Sequence, residues 1–156
     1  MMLRLLATIL FVIPFTVQSQ SETTRSLESK YDKAFGLFFY NNTLEMLNQT
    51  DDEEFAALIK DIDKMKFLRI SRKDNDITGK DISTLIGEYK SEDFEDLMTM
   101  RHEGMNVQVF IKEKDGVTTG LVFLMSDDES LSVLDVKGSV PLNQLASLIS
   151  KVQDID

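Results

Sequence analysis

The hydrophobic pattern of the chain has two parts, which meet near Ser91. In the first part, apolar residues recur at helical spacing in a segment beginning at Ser26, in TDDEEFAALIKDIDKM and in TGKDISTLIGEY. We therefore predict three helices before Ser91. The second and third segments each contain a threonine three residues before an acid, which is the spacing of a capping box. The two pairs are Thr50 with Glu53 and Thr78 with Asp81.

Two short segments between these helices favour strands. FGLFFY is aromatic or apolar on both faces, which is typical of a central strand covered on both sides, although a buried helix of that length has the same pattern. KFLRIS predicts a second short strand, and Asn41 and Asn42 predict a break after the first. The first part of the chain is thus expected to alternate helix and strand.

After Ser91 the pattern changes to period two, with four segments separated by polar connections of hairpin length. They predict a four-stranded antiparallel meander, with one apolar face covered by helices and one face left available. Gly138 permits a turn, and the apolar stripe that includes Leu145 and Ile149 predicts a terminal helix after the last strand. The expected fold is α+β, a two-layer sandwich. The four segments are FEDLMTMRHE, NVQVFIKEK, VTTGLVFLMS and ESLSVLDVKG.

The N-terminal segment has the order of a secretory signal peptide. Arg4 precedes an apolar run from Leu5 to Val17, and small or apolar residues stand at the usual cleavage offsets before Gln20. The run is too short to span a bilayer with ordinary flanks, which disfavours a retained membrane anchor. We expect a soluble exported protein, in the periplasm or outside the cell, with no transmembrane helix in the mature chain. The predicted organisation is a signal peptide at 1–19, a polar leader at 20–25 and a single α+β domain at 26–156.

Composition and charge narrow the possible functions. The 156 residues contain 17 Lys and Arg against 27 Asp and Glu, a net charge of −10, and no basic cluster that would attract nucleic acid. The count of 0 Cys excludes disulfides, thiolate metal sites, a cysteine nucleophile and lipid attachment at a cysteine. We therefore predict no nucleic-acid partner and a fold that is stabilised by packing alone.

Met98, Met100 and His102 are the first candidate metal ligands. In a strand these three residues point to the same face, and thioether and imidazole groups suit a soft metal such as Cu(I). The alternative is that the two methionines fill the core while His102 lies at a wet strand end, and this alternative is favoured because methionine commonly packs irregular cores.

Asp74 and Asp76 are the second candidates. In DNDITGKD they stand at the first and third positions of a calcium loop, but the twelfth position is Leu85 instead of the glutamate that binds calcium through both oxygens. A polar turn before the next helix explains the same residues. We therefore predict no metal site and no cofactor.

Catalytic motifs are missing from the sequence. His102 is the single histidine, and neither a Gly-x-Ser-x-Gly elbow nor a phosphate-binding glycine loop accompanies it. We therefore predict no catalytic residues and a protein that is not an enzyme.

DFEDLMTMRHEGMNVQVFIKEKDG and GLVFLMSDDESLSVLDVKGSVPLNQLASL resemble the C-terminal half of the bacterial domain-of-unknown-function family DUF4252, and DDEEFAALIKDIDKMKFLRI is similar to its earlier segment. The resemblance rests on hydrophobic spacing, the KDG turn and the VKGSVPLNQL ending. It implies a small exported or lipid-anchored protein of Gram-negative bacteria, and for some members a link to extracytoplasmic sigma-factor systems. It brings no functional residues, and the lack of cysteine departs from the lipid-anchored members.

These observations favour a non-enzymatic module of the cell envelope or periplasm that binds another envelope protein, with a role in envelope-stress regulation implied by the resemblance. The alternative is a small periplasmic metal-binding protein or hydrolase that uses Met98, Met100 and His102, or Asp74 and Asp76. That alternative requires polar groups to converge in a pocket around His102 or Asp74.

Overall fold

The computed structural model of the chain describes residues 20–49 and 51–141. The predicted signal peptide and the predicted terminal helix, with Leu145 and Ile149, lie outside these residues. Four helices and six strands are formed within them, so the predicted α+β class is confirmed. In chain order they are α1 (Glu22–Lys30), β1 (Phe35–Tyr40), α2 (Asn41–Leu47), α3 (Glu53–Ile59), β2 (Ile62–Ser71), α4 (Gly79–Ser91), β3 (Glu95–His102), β4 (Met105–Lys114), β5 (Val117–Ser126) and β6 (Ser130–Gly138).

All six strands form one antiparallel sheet in the order β1-β2-β6-β5-β4-β3. β3 pairs with β4, β4 with β5 and β5 with β6, and a short turn joins the two strands of each pair. β2 pairs with β6, and β1 pairs with β2. Within the described ranges, β1 and β3 are therefore the two edges of the sheet. None of the helices described here is long and apolar enough to cross a membrane.

Both faces of the sheet contribute to the core, so the prediction of a two-layer sandwich with one available face is wrong. Val109 and Phe123 belong to one buried cluster, whereas Phe110 and Val122, their neighbours in sequence, belong to the other. The physical reason is the run from Leu121 to Leu124, in which four consecutive apolar side chains alternate between faces.

Helices pack against each of the two faces. On the first, which we call the α3 face, Leu44 of α2 and Leu58 of α3 join the cluster around Val109. On the second, the α4 face, Leu27 of α1 and Tyr89 of α4 join the cluster around Phe110. Tyr89 is fully buried and its ring stacks on that of Phe110. The described fold thus has a helix layer on either side of the sheet.

α1 begins four residues before the predicted start at Ser26. Ser21 is its N-cap, and the Ser21 side chain accepts a hydrogen bond from the backbone N–H of Thr24. Thr23 and Thr24 are buried, so the stretch 20–25 is part of the fold and not a leader outside it. A stripe of apolar residues could not reveal this start, because the side chains that bury the first turn are threonines.

α3 is shorter than predicted and uses a different cap. It ends at Ile59, and the DIDKM stretch that was expected to continue it belongs mostly to β2. The N-cap is Asp52, whose carboxylate accepts hydrogen bonds from the backbone N–H groups of Glu54 and Phe55. Thr50 of the predicted pair with Glu53 lies outside the described residues. The break expected at Asn41 and Asn42 is confirmed, because β1 ends at Tyr40, and α2 begins directly after it.

α4 has the predicted start. Thr78 is the N-cap, and the reciprocal capping box with Asp81 is present. The expected stripe is also confirmed, because Leu85 and Tyr89 are buried while Ile82 and Ile86 pack at the margin of the same cluster.

Candidate functional site: an exposed edge strand

β1 is an edge strand made almost entirely of aromatic and aliphatic residues. Its sequence, FGLFFY, contains no charged side chain, and its one neighbour among the described strands is β2. The strand was predicted correctly, but its central position was not. A strand that is apolar on both faces has the same local pattern in the middle of a sheet and at an unprotected edge.

Four side chains of β1 are exposed to an extent that is unusual for their type. The exposed fraction is 56% for Phe35, 40% for Leu37, 47% for Phe38 and 55% for Tyr40. Phe39 is partly buried against the core on the α3 face. β1 is thus held in the sheet by one partner strand, while four of its six residues are exposed over roughly half of their surface.

The exposed surface continues onto α2, which begins directly after Tyr40 and contacts β1. Met46 and Leu47 of α2 are exposed as well. Six of the eight exposed large hydrophobic residues in the described structure therefore lie on these two consecutive elements. We call this surface the β1–α2 patch: Phe35, Leu37, Phe38, Tyr40, Met46 and Leu47.

The opposite edge of the sheet has a different character. β3 reads EDLMTMRH, with acids at Glu95 and Asp96 and a basic residue at Arg101. Its pairing with β4 shifts register between Asp96 and Met98. Charged side chains and bulges are devices by which proteins protect an edge strand from pairing with other chains. β1 lacks such charges, so one edge of the sheet is protected and the other is not.

Basic residues of β2 stand directly behind the aromatic residues of β1. The register of the two strands places Phe35 opposite Arg69, Phe38 opposite Lys66 and Tyr40 opposite Lys64. The Nζ atom of Lys66 lies 4.7 Å from the centroid of the Phe38 ring, and that of Lys64 lies 5.8 Å from the centroid of the Tyr40 ring. These are cation–π distances. The three cross-strand pairs are consequences of the register, so the sequence alone could not identify them.

The three basic residues differ in their other partners. Lys66 has a buried side chain, and its Nζ atom donates a hydrogen bond of 2.6 Å to Oε2 of Glu28 in α1. For Lys64 and Arg69, no carboxylate lies within ion-pair distance among residues 20–49 and 51–141. The charge of Lys66 is thus neutralised inside the fold. Within the same ranges Lys64 and Arg69 have no such ion pair, although Arg69 is near enough to Asp127 to help lower the pKa of that carboxyl.

The candidate ligands on β3 are not assembled into a metal site in the described structure. Met98 and Met100 pack against the core of the α3 face, as the favoured alternative predicted. The His102 side chain is 68% exposed, and its Nε2 atom lies 3.8 Å from a carboxylate oxygen of Glu103. His102 is therefore at the solvent-exposed end of the strand.

Asp74 and Asp76 lie exposed in the turn between β2 and α4. The turn is closed by its own polar groups: the backbone N–H of Ile77 donates to the carbonyl of Arg72, and the Asn75 amide donates to the carbonyl of Ser71. Nowhere in the ranges that the structure describes do three or more His, Asp or Glu side chains gather into a group that could hold a metal.

A cavity of about 400 Å³ lies beside the start of α1, and neither His102 nor Asp74 lines it. Its most deeply buried polar group is Asp135, which is 2% exposed and accepts a hydrogen bond of 3.2 Å from the backbone N–H of Ser21. Burial raises the pKa of Asp135, hydrogen bonds from Thr24 and Ser21 act in the opposite direction, and repulsion from Glu92 adds to the increase.

A buried carboxyl with a raised pKa in a cavity is a conventional candidate for an acid catalyst. Here, however, the carboxylates have a structural use. Glu92 accepts hydrogen bonds from the backbone N–H groups of Glu22 at 2.9 Å and Thr23 at 2.6 Å. Together with Asp135 it satisfies backbone donors at the start of α1, which lack partners within the helix. The acids of this cavity therefore fix α1 to the sheet.

The described structure defines a class of α+β protein in which one six-stranded antiparallel sheet, with helices on both faces, leaves one apolar edge exposed. A family model described as a domain of unknown function, DUF4252, matches residues 37–148, and the chain belongs to this family. The resemblance stated from the sequence is thereby confirmed. No curated protein and no solved structure matches the chain.

Proposed function

We propose that this protein is a non-enzymatic module of the bacterial cell envelope that binds another protein along the open edge of β1. The protein is exported and works in the periplasm or outside the cell, with a role in envelope-stress regulation. Export is supported by the signal-peptide pattern at 1–19. The link to envelope stress is supported only by the features that the family resemblance implies.

The observation that carries the binding proposal is the contrast between the two edges of the same sheet. β3 has the charges and the register shift that prevent pairing with other chains, whereas β1 has neither. An exposed edge strand binds an extended segment through main-chain hydrogen bonds, while side-chain contacts determine which segment is preferred. The apolar side chains of the β1–α2 patch provide such contacts on both sides of the edge.

Site-specific photo-crosslinking in cells tests this proposal, and the chain offers a matched control. Leu37 on β1 and Leu97 on β3 are both edge-strand leucines, with exposed fractions of 40% and 37%. A photoreactive residue at position 37 should give a discrete adduct with another protein, and the same residue at position 97 should not. A further change of Phe35→Asp should abolish the adduct at position 37, because a charge on the apolar edge opposes pairing.

Mass spectrometry of the adduct identifies the crosslinked protein and the segment that lies beside β1. Equal adducts at positions 37 and 97 would show contact without preference for the β1 edge, and would contradict the proposal. The lack of an adduct at position 37 in envelope-stressed as well as unstressed cells would contradict it equally.

A further inference from the structure

Two charges near β1 indicate the chemistry of the segment that it binds. Lys64 stands opposite Tyr40 at one end of β1, and Arg69 stands opposite Phe35 at the other. The two β1 positions are five residues apart, and successive side chains of a strand alternate between faces. The two cations therefore lie on opposite faces of the sheet, one near each end of the open edge.

The charge of Lys64 is displaced toward that edge. Its backbone belongs to β2, but its Nζ atom lies 5.8 Å from the ring centroid of Tyr40, a side chain of β1. A strand added beside β1 would lie about 4.8 Å from it, so its side chains would come within reach of Lys64 across the Tyr40 ring. Lys66 is similarly extended over Phe38, but Glu28 already supplies its counter-charge.

We propose that the segment bound at β1 is an extended stretch of another protein that carries two acidic side chains five positions apart, with apolar residues between them. One acid pairs with Lys64 on the α4 face and the other with Arg69 on the α3 face. The spacing is the same when the segment is read in either direction, so it holds for parallel and for antiparallel pairing. This inference rests on the proposed binding at β1 and specifies its partner.

A second copy of the chain meets these requirements poorly. Its β1 strand has no acidic residue to place opposite Lys64 or Arg69, and each copy carries a net charge of −10. The same net charge repels an acidic segment from most of the surface. Beside β1, however, Lys64 and Arg69 have no ion-pair partner among the described residues, so an acidic segment is attracted to this edge.

Binding of synthetic peptides by fluorescence anisotropy tests the inference. The probes are three labelled peptides with the same Val/Thr interior and with Glu, Gln or Lys at the two positions five apart. The Glu peptide should bind roughly tenfold or more tightly than the Lys peptide. Each of the two partly exposed ion pairs adds a modest favourable binding free energy in the Glu peptide, and in the Lys peptide each pair becomes a repulsion between like charges. Lys64→Glu should lower or reverse this preference, and Lys64→Gln should give an intermediate value.

The matched control is Lys114→Glu, which makes the same change in net charge at an exposed position at the end of β4, a strand separated from β1 by β2, β6 and β5. It should leave the preference for the Glu peptide unchanged. Thermal melts establish that each variant is folded before binding is compared. An equal effect of Lys114→Glu and Lys64→Glu would assign the preference to the charge of the whole molecule and overturn the inference.

The other outcomes separate this inference from the proposed function. Equal affinity for all three peptides would overturn the acidic segment while leaving binding at β1 intact. A crosslinked segment at position 37 that lacks the two acids would do the same. A stable dimer in sedimentation that Leu37→Asp dissociates, and that the Glu peptide does not displace, would assign the edge to a second copy instead.

Discussion

At the scale of single residues, Asp135 shows how a buried acid can serve as a structural anchor. Its side chain is almost fully buried on the α4 face, where it accepts a hydrogen bond from the backbone N–H of Ser21. Burial raises the pKa of Asp135, which means that the folded state binds a proton there more tightly than the unfolded state does. Ionisation of Asp135 therefore lowers the stability of the fold.

Asp135→Asn should consequently change how stability depends on pH. A raised folded pKa contributes stability that is fully present below the unfolded value, about 4, and is lost as the pH rises through the folded value. The asparagine variant cannot lose a proton at this position, so it should not lose the stability that the wild type loses as the pH rises. Its free energy of unfolding should therefore increase relative to that of the wild type between about pH 4 and pH 7. Urea denaturation at the two pH values measures this difference.

Asp128→Asn is the control for this experiment, because it removes the same charge at an exposed position in the turn between β5 and β6. The difference in free energy of unfolding between this variant and wild type should remain nearly constant over the same pH range. If the free energies of unfolding of Asp135→Asn and wild type change with pH in parallel, the Asp135 carboxyl is not responsible for the pH dependence.

At the scale of elements, Gly138 permits the end of β6 to approach the start of β2. Its φ is +131°, and it pairs with Ile62 at a point where the register of β2 shifts. A Cβ atom at this position would contact the carbonyl oxygen of Asp61 and would lie 2.8 Å from Cα of Ile62. These are backbone atoms, so no side-chain rotation could relieve the contact.

Gly138→Ala should therefore destabilise the protein by about 2–4 kcal/mol, since it combines backbone strain with a clash against a neighbouring strand. Gly116→Ala is the matched control: its φ is +76°, but no heavy atom beyond its two chain neighbours lies within 4 Å of the added Cβ. That control should cost only about 1–2 kcal/mol, from strain alone. Equal urea midpoints for the two variants would contradict the close approach of β2 and β6.

The same elements show which parts of the fold can be predicted from sequence. The start of α4 depends on Thr78 and Asp81, two residues three positions apart, and it was predicted correctly because the capping box is local. The edge position of β1 depends on β2 pairing with β6, whose paired residues are 59 to 76 positions away. Nothing within FGLFFY carries that information.

The candidate site illustrates this limit most clearly. Tyr40 and Lys64 are far apart in sequence, and they meet because β1 and β2 pair antiparallel in one particular register. By contrast, burial of both faces could have been predicted from the run of four apolar residues beginning at Leu121, since an alternating pattern is required for a face in water. The sequence thus contained the evidence for the second helix layer but not for the open edge.

At the scale of the whole molecule, charge is distributed unevenly around an acidic protein. The net charge is −10, yet the β1 strand has no charge, and the strand behind it carries Lys64 and Arg69 besides the buried Lys66, which Glu28 neutralises. The net charge opposes association between molecules over most of the surface, whereas the uncharged edge is the place where another chain can add a strand. The molecule therefore separates the surface that maintains solubility from the surface proposed for binding.

The proposed export of the whole molecule requires a cleavage site that leaves the fold intact. α1 depends on Ser21, whose side chain caps the helix and whose backbone N–H donates to Asp135. Cleavage after Ser19 keeps both interactions, whereas cleavage a few residues later would remove them. The fold therefore favours the same site as the order of charged, apolar and small residues in the N-terminal segment.

We expect the protein purified from the cell envelope to begin at Gln20, as measured by the mass of the intact chain. Ser19→Arg should block processing, because signal cleavage requires a small residue at this position, and the uncleaved chain should collect in the membrane fraction. Ser29→Arg, an exposed serine-to-arginine change on α1, is the control and should leave processing unchanged. A purified envelope chain that retains Met1 would contradict cleavage and support a retained anchor. The β1 edge would then be presented from the membrane surface, where the segments within its reach belong to other membrane-bound proteins.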